Sequence, residues 1–171
     1  MKSIGVRRRP SSDSRKSAIP PALLGRYHSV PMAQAILVSL ERDLADPGAQ
    51  TAYTKSATGK AFFRELERID FAARKCKVTQ PSSLVSENPD ALIAQLKEDG
   101  FDPSKMRVPP ERWFPAAEGL AVVRALIEHV GANLNDFKQP NPVVRDLKAA
   151  EALLVAAEGA GVKFHFTKGH L

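Results

Sequence analysis

The sequence predicts an α+β fold that is mainly α, with about four helices and a small sheet that pairs an N-terminal strand with a C-terminal strand. Four segments place apolar residues at the three- and four-residue spacing of a buried helix face. Two short segments, at residues 33–41 and 162–167, have the composition or the alternation of a β-strand. Because unpaired strand backbone is unfavourable, we expect these two strands to pair with each other.

The two strands differ in their pattern. The first, AQAILVSLE, is rich in Ile, Leu and Val, whereas the second, VKFHFT, alternates apolar and polar side chains. The alternation predicts that Phe164 and Phe166 face the core and that His165 points outward. A larger sheet is the alternative, in which the segments around Tyr53 or at residues 78–85 add further strands.

The first predicted helix is KAFFRELERIDFAARKC, residues 60–76, and it follows a predicted loop at residues 46–59 that carries the turn sequence DPG. Its predicted buried face consists of Phe62, Leu66, Ile69 and Ala73. Phe71 falls on the opposite side of this helix. The helix is therefore expected either to be covered on two sides or to present an aromatic residue to a partner.

Two further helices are predicted to begin at Asn-Pro pairs, with the asparagine as N-cap and the proline as first helical residue. These pairs are Asn88-Pro89, ahead of DALIAQLKEDG, and Asn141-Pro142, ahead of the last helix. The last helix is predicted to bury Val143, Leu147, Ala150, Leu154 and Ala157.

Between these two helices lie a proline-rich connector and one more helix. The connector FDPSKMRVPPERW is predicted to be extended. The helix PAAEGLAVVRALIEHVG has Gly119 in its interior, which weakens a helix by about 1 kcal/mol relative to alanine unless close packing requires it. Its predicted buried face consists of Leu120, Val123, Leu126, Ile127 and Val130.

The positive charge of the chain is concentrated in residues 1–31. This segment has seven basic residues and one acidic residue, so its net charge is +6. The formal net charge of the whole chain is also +6. It has no strand or helix periodicity, so we predict a disordered basic segment, or an upstream extension of the reading frame, ahead of a single globular domain at residues 32–171. Its candidate contacts to an anion or nucleic acid are Arg7, Arg8, Arg9, Arg15 and Lys16.

Several classes of protein are disfavoured by composition. No apolar run reaches the roughly 18 to 20 residues of a membrane-spanning helix, so no membrane partner is predicted. The single cysteine, Cys76, gives no sign of an oxidising compartment, so a cytoplasmic location is expected. Residues 55–60 could hold an anion at a helix start, but Thr54 stands where the first glycine of a phosphate-binding loop belongs.

No catalytic, cofactor-binding or metal-binding residue is predicted. Neither the four histidines nor Cys76 has the spacing of a helical metal site. Cys76 lies on or beside a buried helix face, where a thiol is usually unreactive. An enzyme whose site the fold assembles from Glu118, His129 or Cys76 remains an open alternative.

The segment PPERWFPAAEGL has the most unusual composition in the chain. Aromatic residues ahead of a helix commonly pack back on it, and we expect this role for Trp113 and Phe114. The alternative is a recognition surface, because Trp and Arg are typical hot-spot residues and Arg112 precedes Trp113. The candidate partner-binding residues are Phe71, Arg112, Trp113 and Phe114.

The segments SSLVSENPD, RWFPAAEGLAVVRAL and GVKFHF resemble a group of short uncharacterised bacterial proteins, and the resemblance covers residues 33–167. That group has no assigned activity, so the resemblance implies no functional residue.

The sequence favours a small non-enzymatic protein-interaction module, such as an adaptor, an inhibitor or an immunity-type protein, whose partner is another protein. The first alternative is a nucleic-acid-associated protein that binds weakly, without sequence preference, through the basic segment. The second alternative is the enzyme whose site is not visible in the sequence.

Overall fold

The structure is a computed structural model and describes residues 34–170, with only the backbone described for His170. The predictions for residues 1–31, including the candidate contacts of the basic segment, lie outside these described residues. Those candidates are Arg7, Arg8, Arg9, Arg15 and Lys16.

Two strands form an antiparallel ribbon. Strand β1 spans Gln34–Leu40 and strand β2 spans Phe164–His170. Their register pairs Gln34 with His170 at one end and Leu40 with Phe164 at the other. The predicted pairing of an N-terminal with a C-terminal strand is therefore confirmed.

The outer edge of β1 is closed by single contacts rather than by a third strand. The backbone N–H of Ile36 donates to the carbonyl of Gly59 at 3.0 Å. The N–H of Val38 donates to the hydroxyl of Tyr53 at 2.8 Å, and the Tyr53 side chain is buried. Tyr53 thus satisfies a strand N–H that would otherwise lack a protein partner.

The outer edge of β2 is closed in the same way. Phe114 and Phe164 exchange two backbone hydrogen bonds of 2.8 and 2.9 Å, and the N–H of Ser86 donates to the carbonyl of Phe166 at 2.8 Å. Val85 and Phe166 form an isolated parallel bridge. The alternative of a larger sheet is wrong for the described residues, because Val85 contributes only a single bridge and the segment around Tyr53 is helical.

The part of the chain that the structure describes contains six α-helices, so the fold is mainly α as predicted. They are α1 (Gly48–Ser56), α2 (Lys60–Arg64), α3 (Leu66–Lys75), α4 (Pro89–Glu98), α5 (Ala116–Ala132) and α6 (Pro140–Gly159). Short 3₁₀ turns occur at Pro81–Leu84, Pro103–Lys105 and Leu134–Asp136.

Helix α1 corrects the predicted loop at residues 46–59. It has no side-chain cap, no acidic residue in its first turn, and Tyr53 as its buried residue. A helix with one buried side chain leaves no periodic signal in the sequence. Its packing against α6 accounts for it instead.

The predicted helix at residues 60–76 is interrupted at Glu65. This residue has φ −102° and ψ 8°, which separates α2 from α3. Its side chain is buried, and its Oε1 accepts the N–H of Lys138 at 3.1 Å. The interruption therefore places a carboxylate where it holds the segment that connects α5 to α6.

The core lies between the ribbon and the long helices. Helices α5 and α6 pack on each other, and all the predicted buried residues of α6 are buried. The ring of Phe166 packs edge-on against Phe62 and Phe164, with centroid distances of 5.3 and 5.4 Å. The predicted N-cap at Asn141 is wrong, because α6 begins at Pro140 with Gln139 as its N-cap.

Candidate functional site

Phe71 lies on the outer face of α3 and is the first predicted partner-binding residue that the structure leaves open to solvent. The opposite face of the helix is buried through Ile69, Ala72 and Ala73. As a consequence, the Phe71 side chain points away from the core and is 52% exposed. The helical spacing predicted this position correctly.

Two cations of the same helix lie over the Phe71 ring. The Arg74 Cζ atom is 5.5 Å from the ring centroid and the Lys75 Nζ atom is 4.7 Å from it. They stand three and four residues after Phe71, which is the spacing that brings side chains together on a helix. The aromatic face and the two charges therefore form one surface feature.

A cleft of about 580 Å³ opens beside this feature. One wall comes from α3, and the other comes from α5 and the segment that leads to α6. The residues that line it include Arg68, Phe71, Lys75, His129, Asp136 and Phe137. The fold thus joins residues that lie about 60 positions apart in the sequence.

Partial ion pairs tie the two walls together. Arg68 Nη1 lies 3.5 Å from the buried Glu65 Oε2 and 3.3 Å from the backbone carbonyl oxygen of Asp136. Lys75 Nζ lies 3.9 Å from Asp136 Oδ2. Arg74, by contrast, forms no salt bridge within the described residues. The rim of the cleft therefore keeps positive charge available to a ligand.

The other predicted partner-binding residues lie against β2. Trp113 packs on His165, with ring centroids 4.3 Å apart and planes inclined by 50°. Phe114 adds its backbone to β2, and Arg112 Cζ lies 5.0 Å from the centroid of the Phe114 ring. Because none of these three residues lines the Phe71 cleft, the four candidates form two separate groups.

His165 does not point outward, so that prediction is wrong. The side chain is 2% exposed, Nδ1 lies 3.0 Å from the Phe166 carbonyl oxygen, and Nε2 lies 3.2 Å from Glu111 Oε1. Trp113 and the connector that carries Glu111 cover this face of β2. The simple alternation of a two-faced strand fails here because both faces of the strand are covered.

The alternative candidates for chemistry are dispersed. His129 lines the Phe71 cleft, whereas the Glu118 carboxylate accepts the Thr79 hydroxyl at 3.0 Å. The sulfur of Cys76 lies 4.0 Å from the carbonyl oxygen of Ala125. Of these three side chains, only His129 lines one of the five main cavities of residues 34–170.

The candidate anion position at the start of α2 is taken by the protein's own carboxylate. Asp146 is buried on α6, and its Oδ1 accepts the Thr58 N–H at 3.2 Å and the Thr58 hydroxyl at 3.4 Å. An incoming anion would be repelled by this charge. This contact could not be predicted from local sequence patterns, because Asp146 is 88 residues away from Thr58.

The described residues contain neither a membrane-spanning helix nor a cluster of metal-binding side chains. None of their helices is long and apolar enough to cross a membrane. Residues 34–170 also bring together no group of three or more His, Cys, Asp or Glu side chains suited to holding a metal ion.

Sequence reasoning found Phe71 but missed the rest of the cleft. The positions of Arg74 and Lys75 could have been predicted, because they follow Phe71 by three and four residues, the spacing that brings side chains together on a helix. The positions of Asp136 and Phe137 could not have been predicted from the sequence, since tertiary packing alone brings them to α3.

Comparisons with protein-family models, with curated proteins and with solved structures gave no match to this chain.

Proposed function

We propose that this protein is a small non-enzymatic protein-interaction module, of the adaptor, inhibitor or immunity type, which binds its partner at Phe71 and the adjoining cleft. The observation that carries the proposal is the half-exposed Phe71 ring, held under Arg74 and Lys75 at the mouth of a 580 Å³ cleft. A cytoplasmic partner is part of the proposal and rests on the cysteine content.

The composition of this surface supports binding to a protein. Aromatic residues and arginine are enriched at protein interfaces, and an aromatic anchor beside a pocket is typical of a binding hot spot. Phe71 lies on a helix whose opposite face is anchored in the core, so little ordering is required when a partner binds.

The charge of the surface favours an acidic partner segment that carries an apolar side chain. The cleft beside Phe71 is lined by the cations Arg68, Arg74 and Lys75, against the acidic Glu67 and Asp136. An apolar side chain of the partner would contact the Phe71 ring and Phe137, while partner carboxylates would approach the cations. The partial neutralisation of Lys75 by Asp136 leaves Arg74 as the strongest candidate contact.

Photo-crosslinking tests this proposal on the full chain. A benzophenone amino acid at position 71 is compared with the same amino acid at position 155, since Val155 is 46% exposed on α6 and lies outside the cleft. We expect a discrete adduct from position 71 alone, and we expect its attachment site to lie in an acidic segment of the captured protein.

Competition makes the result specific. Unlabelled wild-type protein should suppress the adduct, whereas Phe71→Ala should not, and Val155→Ala should compete as wild type does. Equal adducts from positions 71 and 155, or full competition by Phe71→Ala, would contradict the proposal.

Nucleic-acid binding through residues 1–31 is a second proposal, and the charge concentrated there supports it. Replacing Arg7, Arg8 and Arg9 with glutamine should abolish a weak, salt-sensitive shift of single-stranded or duplex DNA. Arg74→Gln, on the folded surface, should leave that shift unchanged.

A further inference from the structure

Helix α4 and the connector after it form the least buried part of the described chain. No residue from 89 to 110 is buried. Phe101 and Met106 in this stretch are 58% and 48% exposed. Exposed large apolar side chains concentrated in one short stretch indicate an interaction surface more strongly than single ones scattered over a protein.

Local interactions hold α4 in shape although its side chains are not buried. The Asn88 side chain caps the first turn by accepting the N–H groups of Asp90 and Ala91 at 2.9 and 3.2 Å. At the other end, Gly100 adopts φ +81°, and the N–H of Phe101 donates to the Leu96 carbonyl at 2.8 Å. This is the hydrogen-bond pattern that ends a helix with a left-handed glycine. The helix is thus a formed element and a suitable docking surface.

One side of α4 faces the protein itself. Leu92 and Leu96, both half-buried, line a cavity of about 240 Å³ together with Gln34, Lys168 and Gly169 at the end of the ribbon. Gln95 of α4 and Asp99 at its C-terminal end also line this cavity. The side of α4 that does not line this cavity is its outward surface, on which Ile93 is half-buried and Asp90, Ala94 and Lys97 are exposed.

The outward surface carries a stripe that is complementary to itself. Asp90, Ile93, Ala94 and Lys97 follow one another at spacings of three, one and three, which places them along one side of the helix. The stripe has an acidic end, a small apolar centre and a basic end. Two such stripes in antiparallel orientation would set each acidic end against a basic end.

We infer that α4 pairs with α4 of a second copy of this chain about a two-fold axis. The axis passes between Ile93 and Ala94, and Asp90 of each copy faces Lys97 of the other. The two helix dipoles then oppose each other, which favours antiparallel pairing. Phe101 and Met106 follow the helix in the chain, and both are exposed and available for further apolar contact.

The interface is a reversible one. A single short helix and two neighbouring apolar side chains fall at the low end of the area that stable complexes bury. The dimer should therefore dissociate at micromolar concentration and form at higher concentration. This inference uses a surface other than the Phe71 cleft and does not depend on the proposed function.

A charge exchange tests the pairing on the full chain by sedimentation velocity. Wild-type protein should dimerise with rising concentration, and Asp90→Lys or Lys97→Asp alone should weaken dimerisation about tenfold, since each reversal sets like charges against each other. The Asp90→Lys/Lys97→Asp double variant should recover it. Glu128→Lys, an exposed reversal on α5, should have no effect.

Mixing the two single variants separates pairing from misfolding. An equimolar mixture of Asp90→Lys and Lys97→Asp proteins should form a heterodimer as well as wild type forms its dimer, because positions 90 and 97 of the two copies again carry opposite charges. Far-ultraviolet circular dichroism should show equal helix content in all variants. A wild-type protein that stays monomeric at millimolar concentration, or a mixture that fails to pair, would overturn the inference.

Discussion

Gly119 lies directly under the ring of Phe164, where α5 meets strand β2. A Cβ atom at position 119 would stand 2.4 Å from Phe164 Cζ and 2.6 Å from Cε1. Real Cβ atoms essentially never approach so closely. The interior glycine of α5 is therefore required by packing. This close packing explains why the helix contains a glycine although alanine would favour helix formation.

Gly119→Ala should destabilise the protein although alanine is the better helix former. The helix gains about 1 kcal/mol from the substitution, whereas overpacking a core typically costs about 1–3 kcal/mol. The Phe164 ring is fully buried, so it cannot move aside into solvent. Urea unfolding should give a lower free energy of unfolding for the variant than for the wild type.

Gly131 offers the matched control, since it lies in the same helix and a Cβ there would meet no atom within 4 Å. Gly131→Ala should stabilise the protein by about 0.5–1 kcal/mol. Gly119→Ala should also cost less on a Phe164→Leu background, because leucine lacks the clashing ring atoms. Equal effects of the two glycine substitutions would contradict the packing explanation.

The elements that the sequence predicted are those with a long, regular pattern. In α6 every predicted buried residue is buried, because the three- and four-residue spacing runs through the whole helix. Helix α1 and the burial of His165 escaped prediction for the opposite reason. Each depends on residues from elsewhere in the chain: on α6 for α1, and on Trp113 and Glu111 for His165.

The candidate site likewise contains a part that the sequence predicted and a part that it did not. Phe71 was predicted because its position opposite a buried stripe follows from helix geometry alone. The opposite wall of the cleft at Asp136 and Phe137 belongs to a separate segment, and its distance from α3 depends on how α5 packs. Periodicity describes one element at a time and carries no information on such a distance.

Tyr53 should matter to stability through the hydrogen bond that closes the edge of β1. Tyr53→Phe removes the acceptor of the Val38 N–H and leaves that group without its protein partner. The expected loss at neutral pH is about 1–3 kcal/mol, the usual cost of an unsatisfied buried donor. Thermal or urea unfolding of the two proteins measures it, and an unchanged free energy of unfolding would show that another group replaces the hydroxyl.

The pKa of Tyr53 predicts how the stability of the protein changes at high pH. Burial raises the pKa of Tyr53 to about 12, the Val38 hydrogen bond opposes this, and the Asp146 carboxylate adds to it. An unfolded tyrosine has a pKa of about 10, so between these values the unfolded state loses a proton that the folded state retains. The contribution of about 2–3 kcal/mol is therefore fully present below pH 10 and is lost as pH rises towards 12.

Tyr53→Phe provides the reference for this pH dependence. Other groups titrate equally in both proteins, so the difference between their free energies of unfolding isolates Tyr53. That difference should shrink between pH 9 and pH 11.5. A difference that stays constant over this range would be inconsistent with the raised pKa.

The contact between His165 and Glu111 predicts that an amide can replace the carboxylate. Both ring nitrogens of His165 face oxygen atoms, so each nitrogen needs a hydrogen unless the carboxyl group itself carries one. In Glu111→Gln the amide can donate to Nε2 while Nδ1–H donates to the Phe166 carbonyl. Glu111→Ala removes the partner of a buried ring and should cost about 1–3 kcal/mol.

Comparison of the two Glu111 variants checks this explanation. Glu111→Gln should retain most of the wild-type free energy of unfolding, and nitrogen NMR of its His165 ring should show the hydrogen on Nδ1. If Glu111→Ala were as stable as Glu111→Gln, the contact would contribute nothing to the fold.

The two Asn-Pro pairs are expected to differ in their effect on stability. The sequence predicts an N-cap at both pairs, but the structure has one only at Asn88. Asn88 caps α4 through two hydrogen bonds, whereas Asn141 lies inside the first turn of α6 and is exposed. Asn88→Ala should cost α4 about 1 kcal/mol, which corresponds to about fivefold more frequent local opening. Asn141→Ala should change stability by less than about 0.5 kcal/mol, as expected for an exposed surface residue.

Because α4 has no buried residue, its opening should be local, and amide hydrogen exchange of α4 should detect it while the exchange of α5 stays unchanged. Equal effects of the two substitutions on amide exchange would contradict the capping role of Asn88.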